Sequence, residues 1–294
     1  MTANSSIGEG EQMFAFLVDD ETKASYEGEE IINAIIWGDA LKVLPKFPPE
    51  IADMVFLDPP YFLQRSDLTI YRWNEKTTLR NWKEEWDEFA DFEDYDRFMA
   101  SILQECKRIM KPNATIWVMG SFQNICRIGA IMQNLGFWLL TQFVWIKTNP
   151  TPNFLNRRPT NATEFLIWAV KDKSVKDYTY NYEFARAVSP PQFKIPVNIW
   201  ELPTCNGNRK ERLKDEKGKP LHPTQKPEAL LERVILISTK EGDLILDPLA
   251  GTGTTAAVAI RLNRRFVLIE KEERYVKGSR ERLNLCAHNP VTLF

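Results

Sequence analysis

The stretch DLILDPLAGTGTTA, residues 243–256, decides how this chain folds. Its apolar start predicts a buried strand that ends at Asp247. Gly251 and Gly253 then permit a tight turn in which the backbone can approach a ligand closely. Ala256 is small enough for the next helix, expected over Thr254–Leu262, to pack hard against the sheet. A second strand, Phe266–Ile269, runs into Glu270, about 20 residues beyond the first glycine, where a carboxylate can accept hydrogen bonds from ribose hydroxyls. No lysine follows the glycines, so this is not a phosphate loop of the Walker type. Two adenosine-containing cofactors suit such a turn: a dinucleotide or S-adenosylmethionine.

Only 24 residues follow Glu270, too few to complete an open sheet, so the other strands must come from earlier in the chain. Apolar runs at Ile31–Trp37, Met54–Leu57, Thr115–Met119, Phe143–Ile146 and Glu164–Val170 read as strands. Helices are expected at Ala40–Leu44 and Phe122–Leu135. This alternation predicts an α/β fold with a doubly wound, mostly parallel sheet. The order is permuted relative to dinucleotide dehydrogenases, with the catalytic half first and the cofactor half last. The expected organisation is a flexible tail over residues 1–30, a catalytic half over 31–173, an insertion over 174–221 and a cofactor half over 222–294. Residues 62–85 and 174–221 fit the strand–helix rhythm poorly and read as loops or an inserted lobe, where function tends to sit.

Apolar residues make up 44% of the 294 residues, enough for a full-sized core. No apolar run approaches the ~18 residues of a membrane span, and the polar, acidic start lacks the pattern of a signal peptide. Cys106, Cys126, Cys205 and Cys286 are scattered, which argues against a disulfide framework or a structural zinc site and favours a reducing cytoplasm. With His222 and His288 as the only histidines, no metal centre is expected. The net charge of −2 hides an asymmetry. Residues 1–100 hold 9 Lys/Arg against 22 Asp/Glu, whereas residues 153–226 hold 14 against 8. A polyanion would sit against the second segment and avoid the first.

The strand Met54–Leu57 leads into Asp58-Pro59-Pro60-Tyr61. Two prolines stop the ladder and hold the Asp58 carboxylate and the Pro59 carbonyl at the carboxyl edge of the sheet, where open α/β folds bind ligands. An exocyclic amine on an aromatic base is a weak nucleophile because its lone pair is delocalised into the ring. A carboxylate and a carbonyl that accept both N–H hydrogens draw the nitrogen toward tetrahedral geometry and free that pair. Each such charge-assisted bond is worth roughly 1.5–3 kcal/mol. Tyr61, with Phe62 beside it, offers a flat face for a base taken out of its duplex.

With these landmarks the chain resembles the β-group amino-methyltransferases of DNA, in particular the adenine-N6 enzymes of the cell-cycle-regulated type. The likeness runs from about Ile31 to Leu285 through Gly38-Asp39-Ala40, Asp58-Pro59-Pro60-Tyr61, Trp86-Asp87, Asn153-Phe154, His222-Pro223-Thr224-Gln225-Lys226-Pro227 and Asp247 to Gly253, in the β-group order. The resemblance implies S-adenosylmethionine as cofactor and DNA as partner. It gives Asp39 and Ala40 a place by the cofactor's adenine and Glu270 one by its ribose. Asp247 would line the methionine pocket beside Leu249, Ala250, Gly251, Thr252 and Gly253. His222 and Asp58 belong to the same cofactor set, and Thr224 and Lys226, at the start of a helix expected over Pro227–Ser238, would grip the methionine carboxylate. The family also implies homodimers, and a short DNA site such as GANTC or GATC. Leu249 departs from the pattern, which usually has Phe there.

Target recognition falls by this reading to Arg186, Lys194, Arg209, Lys210 and Arg212 in the insertion, which suit phosphate or guanine contacts. Arg65, Tyr71, Trp73 and Trp82 could wedge into the space a flipped base leaves, and Arg157 and Arg158 could touch the backbone. Three other readings stay open at this level: methylation of cytosine N4, a dinucleotide-dependent oxidoreductase, and a catalytically silent DNA-binding relative. Enzymes acting on cytosine N4 more often carry Ser where Asp58 stands, so the carboxylate favours adenine.

Overall fold

The computed structural model describes residues 14–19, 22–62, 68–72, 75–79, 85–152, 158–205 and 210–288. Along the chain these form β1 (Ala15–Val18), α1 (Gly28–Ile31), β2 (Ala34–Trp37), α2 (Ala40–Val43), β3 (Ala52–Leu57), β4 (Leu68–Arg72) and β5 (Glu75–Leu79). Then come α3 (Phe92–Ile109), β6 (Met110–Gly120), α4 (Ile125–Asn134), β7 (Trp138–Lys147), β8 (Thr163–Val170), α5 (Tyr182–Ala187) and β9 (Ile199–Leu202). The last part is α6 (Glu228–Ser238), β10 (Leu244–Asp247), α7 (Thr254–Arg261), β11 (Arg265–Glu270) and α8 (Glu273–His288).

Nine strands join one sheet in the order β1-β2-β11-β10-β3-β6-β8-β7-β9. Neighbours from β1 to β6 are parallel, β8 runs against both β6 and β7, and β9 is parallel to β7. This is the expected doubly wound, mostly parallel sheet. Strands covered on both faces read as continuous apolar runs whose alternate residues serve opposite cores. In β3, Val55 and Leu57 enter one core with Met99, Ile102 and Cys106 of α3 and Ile128 of α4. Met54 and Phe56 enter the other with Leu230 and Val234 of α6, Val258 of α7 and Leu283 of α8.

The structure changes several sequence expectations. Part of the stretch read as a loose tail is built into the sheet: β1 pairs with β2 from Ala15↔Ala34 to Val18↔Trp37, and Tyr26 is buried beside Phe47. Strand β2 is shorter than its apolar run, because Ile31 ends a helix and Asn33 turns with φ 53°. Asn tolerates that left-handed conformation better than most residues, and its Oδ1 accepts from the Phe266 amide. The segments read as two halves share one sheet, since β2 from the first lies against β11 from the last. The insertion contributes β9 to the sheet edge, and β4 and β5 form an antiparallel pair within residues 62–85.

Helix α3 occupies a stretch the sequence reading leaves unassigned, although its signals are plain. Asp91 caps it by accepting from the Asp94 amide at 2.8 Å, Glu93 and Asp94 open it, and Lys107 and Arg108 close it. Tyr95, Met99, Ile102, Leu103, Cys106 and Ile109 form its buried stripe.

Trp117 anchors the corner where the sheet turns antiparallel. It is fully buried, stacks on Trp168 at 5.1 Å and donates from Nε1 to Ser238 Oγ at 3.0 Å. Trp117→Ala is expected to cost about 3–5 kcal/mol by urea unfolding; a loss below about 1 kcal/mol would show that the corner does not depend on this ring.

Candidate functional site

The carboxyl ends of β3, β10, β11 and β2 lie side by side, and each contributes acidic groups. At the end of β10, Asp247 accepts from Thr255 Oγ1 at 2.5 Å and from the Leu249 amide at 3.2 Å. Glu270, ending β11, accepts from the amides of Gly251 and Glu272, both at 2.7 Å. The turn between them is left-handed at Gly251 (φ 52°) and Gly253 (φ 70°). At Gly253 a Cβ would come within 2.9 Å of Ser279 Oγ, so glycine is required twice over. Asp39, after β2, caps α2 by accepting from the Leu41 amide at 3.0 Å.

Burial pushes both carboxyls up to about 7, Asp247 against the Thr255 and Leu249 bonds and Glu270 against the Glu272 and Gly251 amides. His222 is driven the other way, to about 3, by burial and then by the charges of Lys226, Arg274 and Arg212. Its neutral ring stacks on Trp86 at 5.5 Å and meets Tyr275 at 4.5 Å, and its Nδ1 accepts from the Thr224 amide.

The Asp-Pro-Pro-Tyr corner is held from several sides. The Pro60 carbonyl accepts from Tyr95 Oη at 3.1 Å, and Tyr95 in turn accepts from Asn124 Nδ2 at 2.9 Å. Among the described residues no donor reaches the Pro59 carbonyl. Asp58 Oδ2 lies 2.7 Å from Lys226 Nζ, and Oδ1 lies 3.1 Å from Tyr61 Oη. The same phenol lies 3.1 Å from Glu164 Oε2, and Lys226 Nζ stands 5.1 Å from the centre of the Tyr61 ring. Burial pushes the Asp58 carboxyl up against the pull of Lys226. For Lys226 burial works downward, but the Asp58 and Glu164 carboxylates outweigh it and hold the ammonium above its ordinary range.

One cavity of about 320 Å³ joins the two halves, within the range of small-molecule sites, roughly 300–1,000 Å³. Asp58, Pro59, Pro60 and Tyr61 line it from the corner, Leu249, Ala250, Gly251 and Thr252 from the turn, and Asp39, Ala40, Asp247 and Glu270 from the strand ends. His222, Thr224 and Lys226 complete the wall. Gly253 does not line it; it precedes α7 and donates to the Ala250 carbonyl at 2.9 Å. Phe62 also stands apart from the cavity, buried among Phe89, Phe92 and Tyr95 in the core.

Of the residues read as DNA contacts, Arg158, Arg186, Lys194 and Lys210 are exposed, Arg186 is paired with Glu183 at 2.7 Å, and Arg212 is half-buried. Arg65, Trp73, Trp82, Arg157 and Arg209 lie outside the described residues, as do Asn153 and Phe154. Tyr71 is described only as backbone in β4, opposite Lys76.

Five residues at or beside the site have roles that the sequence reading does not give, although Asp87 and Gln225 fall within its family landmarks. Glu164 and Lys147 lie at the same sheet edge as Asp58 because β8 starts where its antiparallel neighbour β7 ends. Asp87 accepts from the Phe62 amide at 2.7 Å and fixes the chain just beyond the corner. Glu211 accepts from the Glu228 amide at 2.9 Å and so caps α6, whose preceding residue, Pro227, has no side chain to do it. Buried Gln225 fastens the same insertion by bonds to Glu211 and Leu213. Among the described residues no group of three or more His, Cys, Asp or Glu could hold a metal ion, and no helix is long and apolar enough to cross a membrane.

Residues 52–281 match the family described as DNA methylase, which groups N6 and N4 methyltransferases. The chain is 46% identical over 261 residues to the Type II methyltransferase M.HinfI of Haemophilus influenzae, covering 89% of this chain and 71% of that one. It is 40% identical over 263 residues to M2.DpnII of Streptococcus pneumoniae, covering 89% and 92%. Among solved structures, M1.HpyAVI in complex with S-adenosylmethionine superposes with a TM-score of 0.59 at 25% identity, over 85% of this chain and 98% of that one. The cytosine-N4-specific PvuII DNA methyltransferase superposes at 0.64 and 22%, over 84% and 85%, and shares the fold.

A carboxyl raised to about 7 holds its proton more tightly in the folded chain than in the unfolded one. The folded state therefore loses stability as pH rises from about 4.5 through 7, and the full cost is present above 7. In urea unfolding, wild type should gain relative to Glu270→Gln as pH is lowered from 8 to 5.5. A difference between the two that does not change with pH would contradict the burial argument.

Proposed function

The chain belongs to the DNA methylase family, and from that premise we propose that it methylates the exocyclic N6 of adenine in DNA with S-adenosylmethionine as donor. The observation that carries this reading is the shared cavity: the acceptor pair at Asp58 and Pro59 opens into the same space as the glycine turn. The chemistry of the lining fits the cofactor. Glu270 and Asp39 are acceptors for hydroxyl and amino groups, Asp247 opposes positive charge, and Leu249, Ala250 and Pro248 offer apolar surface. When bound, the cofactor supplies an electrophilic methyl on a sulfonium.

The chain's own residues then position the acceptor. The Asp58 carboxylate and the Pro59 carbonyl take the two hydrogens of the amine, and the Tyr61 ring offers its face to the extruded base. Taking the base out costs a few kcal/mol, which stacking and phosphate contacts return. No covalent enzyme intermediate is needed, and most of the rate gain comes from orientation. Lys226, with three donors on its ammonium, can serve Asp58 and a cofactor carboxylate together, the latter with Thr224. The cavity wall that His222 forms stays neutral across the physiological range.

Adenine is preferred over cytosine because a carboxylate stands at position 58, where enzymes acting on cytosine N4 more often have Ser. The glycine turn alone also suits a dinucleotide oxidoreductase, but that reading leaves Asp58 and Lys226 without a task. Site recognition is assigned to residues 174–221 and 62–85 around the catalytic half, with Arg186, Lys194 and Lys210 on the exposed surface. A short site of the GANTC or GATC kind and a dimeric enzyme follow from the family resemblance.

Methyl transfer to genomic DNA followed by mass spectrometry of the nucleosides should yield N6-methyladenine; N4-methylcytosine would overturn the base assignment. Asp58→Ala should keep cofactor affinity by calorimetry and lose ~10²-fold or more in turnover. Near-normal turnover in that variant would remove Asp58 from the mechanism.

A further inference from the structure

Glu164 and Lys147 form a charged pair behind the cavity wall, against Tyr61 and Lys226, that the proposed reaction does not use. Lys147 ends β7 and Glu164 is the second residue of β8, and their side chains are 16% and 14% exposed. Lys147 Nζ holds Glu164 Oε1 at 2.7 Å. The other oxygen, Oε2, turns inward, 3.1 Å from Tyr61 Oη and 3.9 Å from Lys226 Nζ. The charges thus alternate from Lys147 through Glu164 and Lys226 to Asp58, with a phenol set between the two carboxylates.

That arrangement bears on what Asp58 can do. An ionised carboxylate has about four acceptor sites, and the ammonium of Lys226 at 2.7 Å takes one in a charge-assisted bond. A cation committed to Asp58 alone would withdraw the electron density that an incoming N–H needs. Glu164 competes for the same ammonium and for the same phenol proton. Tyr61 remains a donor throughout, since burial and the two carboxylates drive its phenol far above the ordinary range.

We propose that Glu164, held by Lys147, is a positioning residue for Asp58, dividing the Lys226 charge and the Tyr61 hydroxyl between two carboxylates so that Asp58 keeps acceptor capacity for the amine. Its catalytic part rests on the methyl-transfer reading, whereas the charge coupling exists in the free protein.

The test has two readouts. In ligand-free protein labelled with [¹³C]aspartate, the Asp58 carboxyl signal, assigned by its loss in Asp58→Asn, is titrated by NMR. Removing the neighbouring negative charge with Glu164→Gln should lower the Asp58 midpoint by roughly 0.5–1 pH unit. Lys147→Met, which leaves Glu164 uncompensated, should raise it, and this variant carries the measurement if Glu164→Gln does not fold. In single-turnover methyl transfer, Glu164→Gln should lose about tenfold in rate with KM for DNA unchanged, and its acid limb should move down with the Asp58 midpoint. Glu164→Asp should restore the limb. An Asp58 titration indifferent to both variants overturns the coupling. A shifted titration with an unchanged rate overturns the positioning role. If wild type transfers no methyl group at all, the functional reading fails while the titration still decides the coupling.

Discussion

Everything at the site depends on β10 lying directly beside β3. Ile245 pairs with Met54 and Leu246 with Val55, residues about 190 positions apart in the chain. The pairing is reinforced at its lower end, where Asp53 Oδ2 accepts from the Leu244 amide at 2.8 Å and Asp53 Oδ1 is tied to Lys111. Parallel neighbours end on the same edge, so Asp247 and Asp58 open into one space without any loop having to bring them together. Sliding one strand by a single residue would turn every side chain to the opposite face. Because both faces of these strands are buried in separate cores, such a slip would empty two cores at once. The register of two short strands therefore fixes the distance between the glycine turn after β10 and the Asp-Pro-Pro-Tyr corner after β3.

That geometry explains which parts of the molecule could be read from the sequence. The glycine turn and the Asp-Pro-Pro-Tyr corner were legible because their constraints are local: a left-handed φ, a proline ring, a strand that must stop. Glu164 was not, because nothing near it marks it; it is one charge near the start of an apolar strand, and its importance comes from β8 running backwards to the edge where β3 ends. Asp87 and Glu211 escape for a related reason. Each accepts from a backbone amide distant in sequence, Phe62 and Glu228, and a carboxylate in a loop gives no sign of which amide it will meet. Strands β1 and β9 are four residues each at the two edges, too short for an alternation to register. Helix α3 is different: its cap, terminal charges and apolar stripe are all local and legible in the sequence.

The electrostatics of the site follow from the same burial. Asp247 and Glu270 pay for their enclosure with raised protonation, and each keeps two donors to limit the cost. Asp58 is treated otherwise, with a full counter-charge from Lys226 beside the Tyr61 hydroxyl. A buried ion pair contributes little net stability, since desolvation of both charges offsets their attraction. What it does secure is a carboxylate held in place on the cavity wall. The contrast along the edge is between two carboxyls met by neutral donors, Asp247 and Glu270, and one met by a cation.

The corner itself shows how two adjacent aromatics come to do different work. Tyr61 and Phe62 look equivalent in sequence, a pair of rings after two prolines. Phe62 sits at φ 49°, a left-handed conformation that costs a bulky residue on the order of 1–2 kcal/mol. The strain is offset where it arises: the Phe62 ring is 6% exposed, packed edge-on against Phe89 and Phe92, and its amide is taken by Asp87. The left-handed step turns the chain back toward Asp87, with the Phe62 ring in the core and the Tyr61 ring on the cavity wall. Without it, an extended backbone would also place the two side chains on opposite sides, but it would carry the chain straight out from the sheet and away from Asp87. The strained residue thus keeps the corner folded back on the structure that supports it, and the Tyr61 ring on the cavity wall is held beside a buried neighbour.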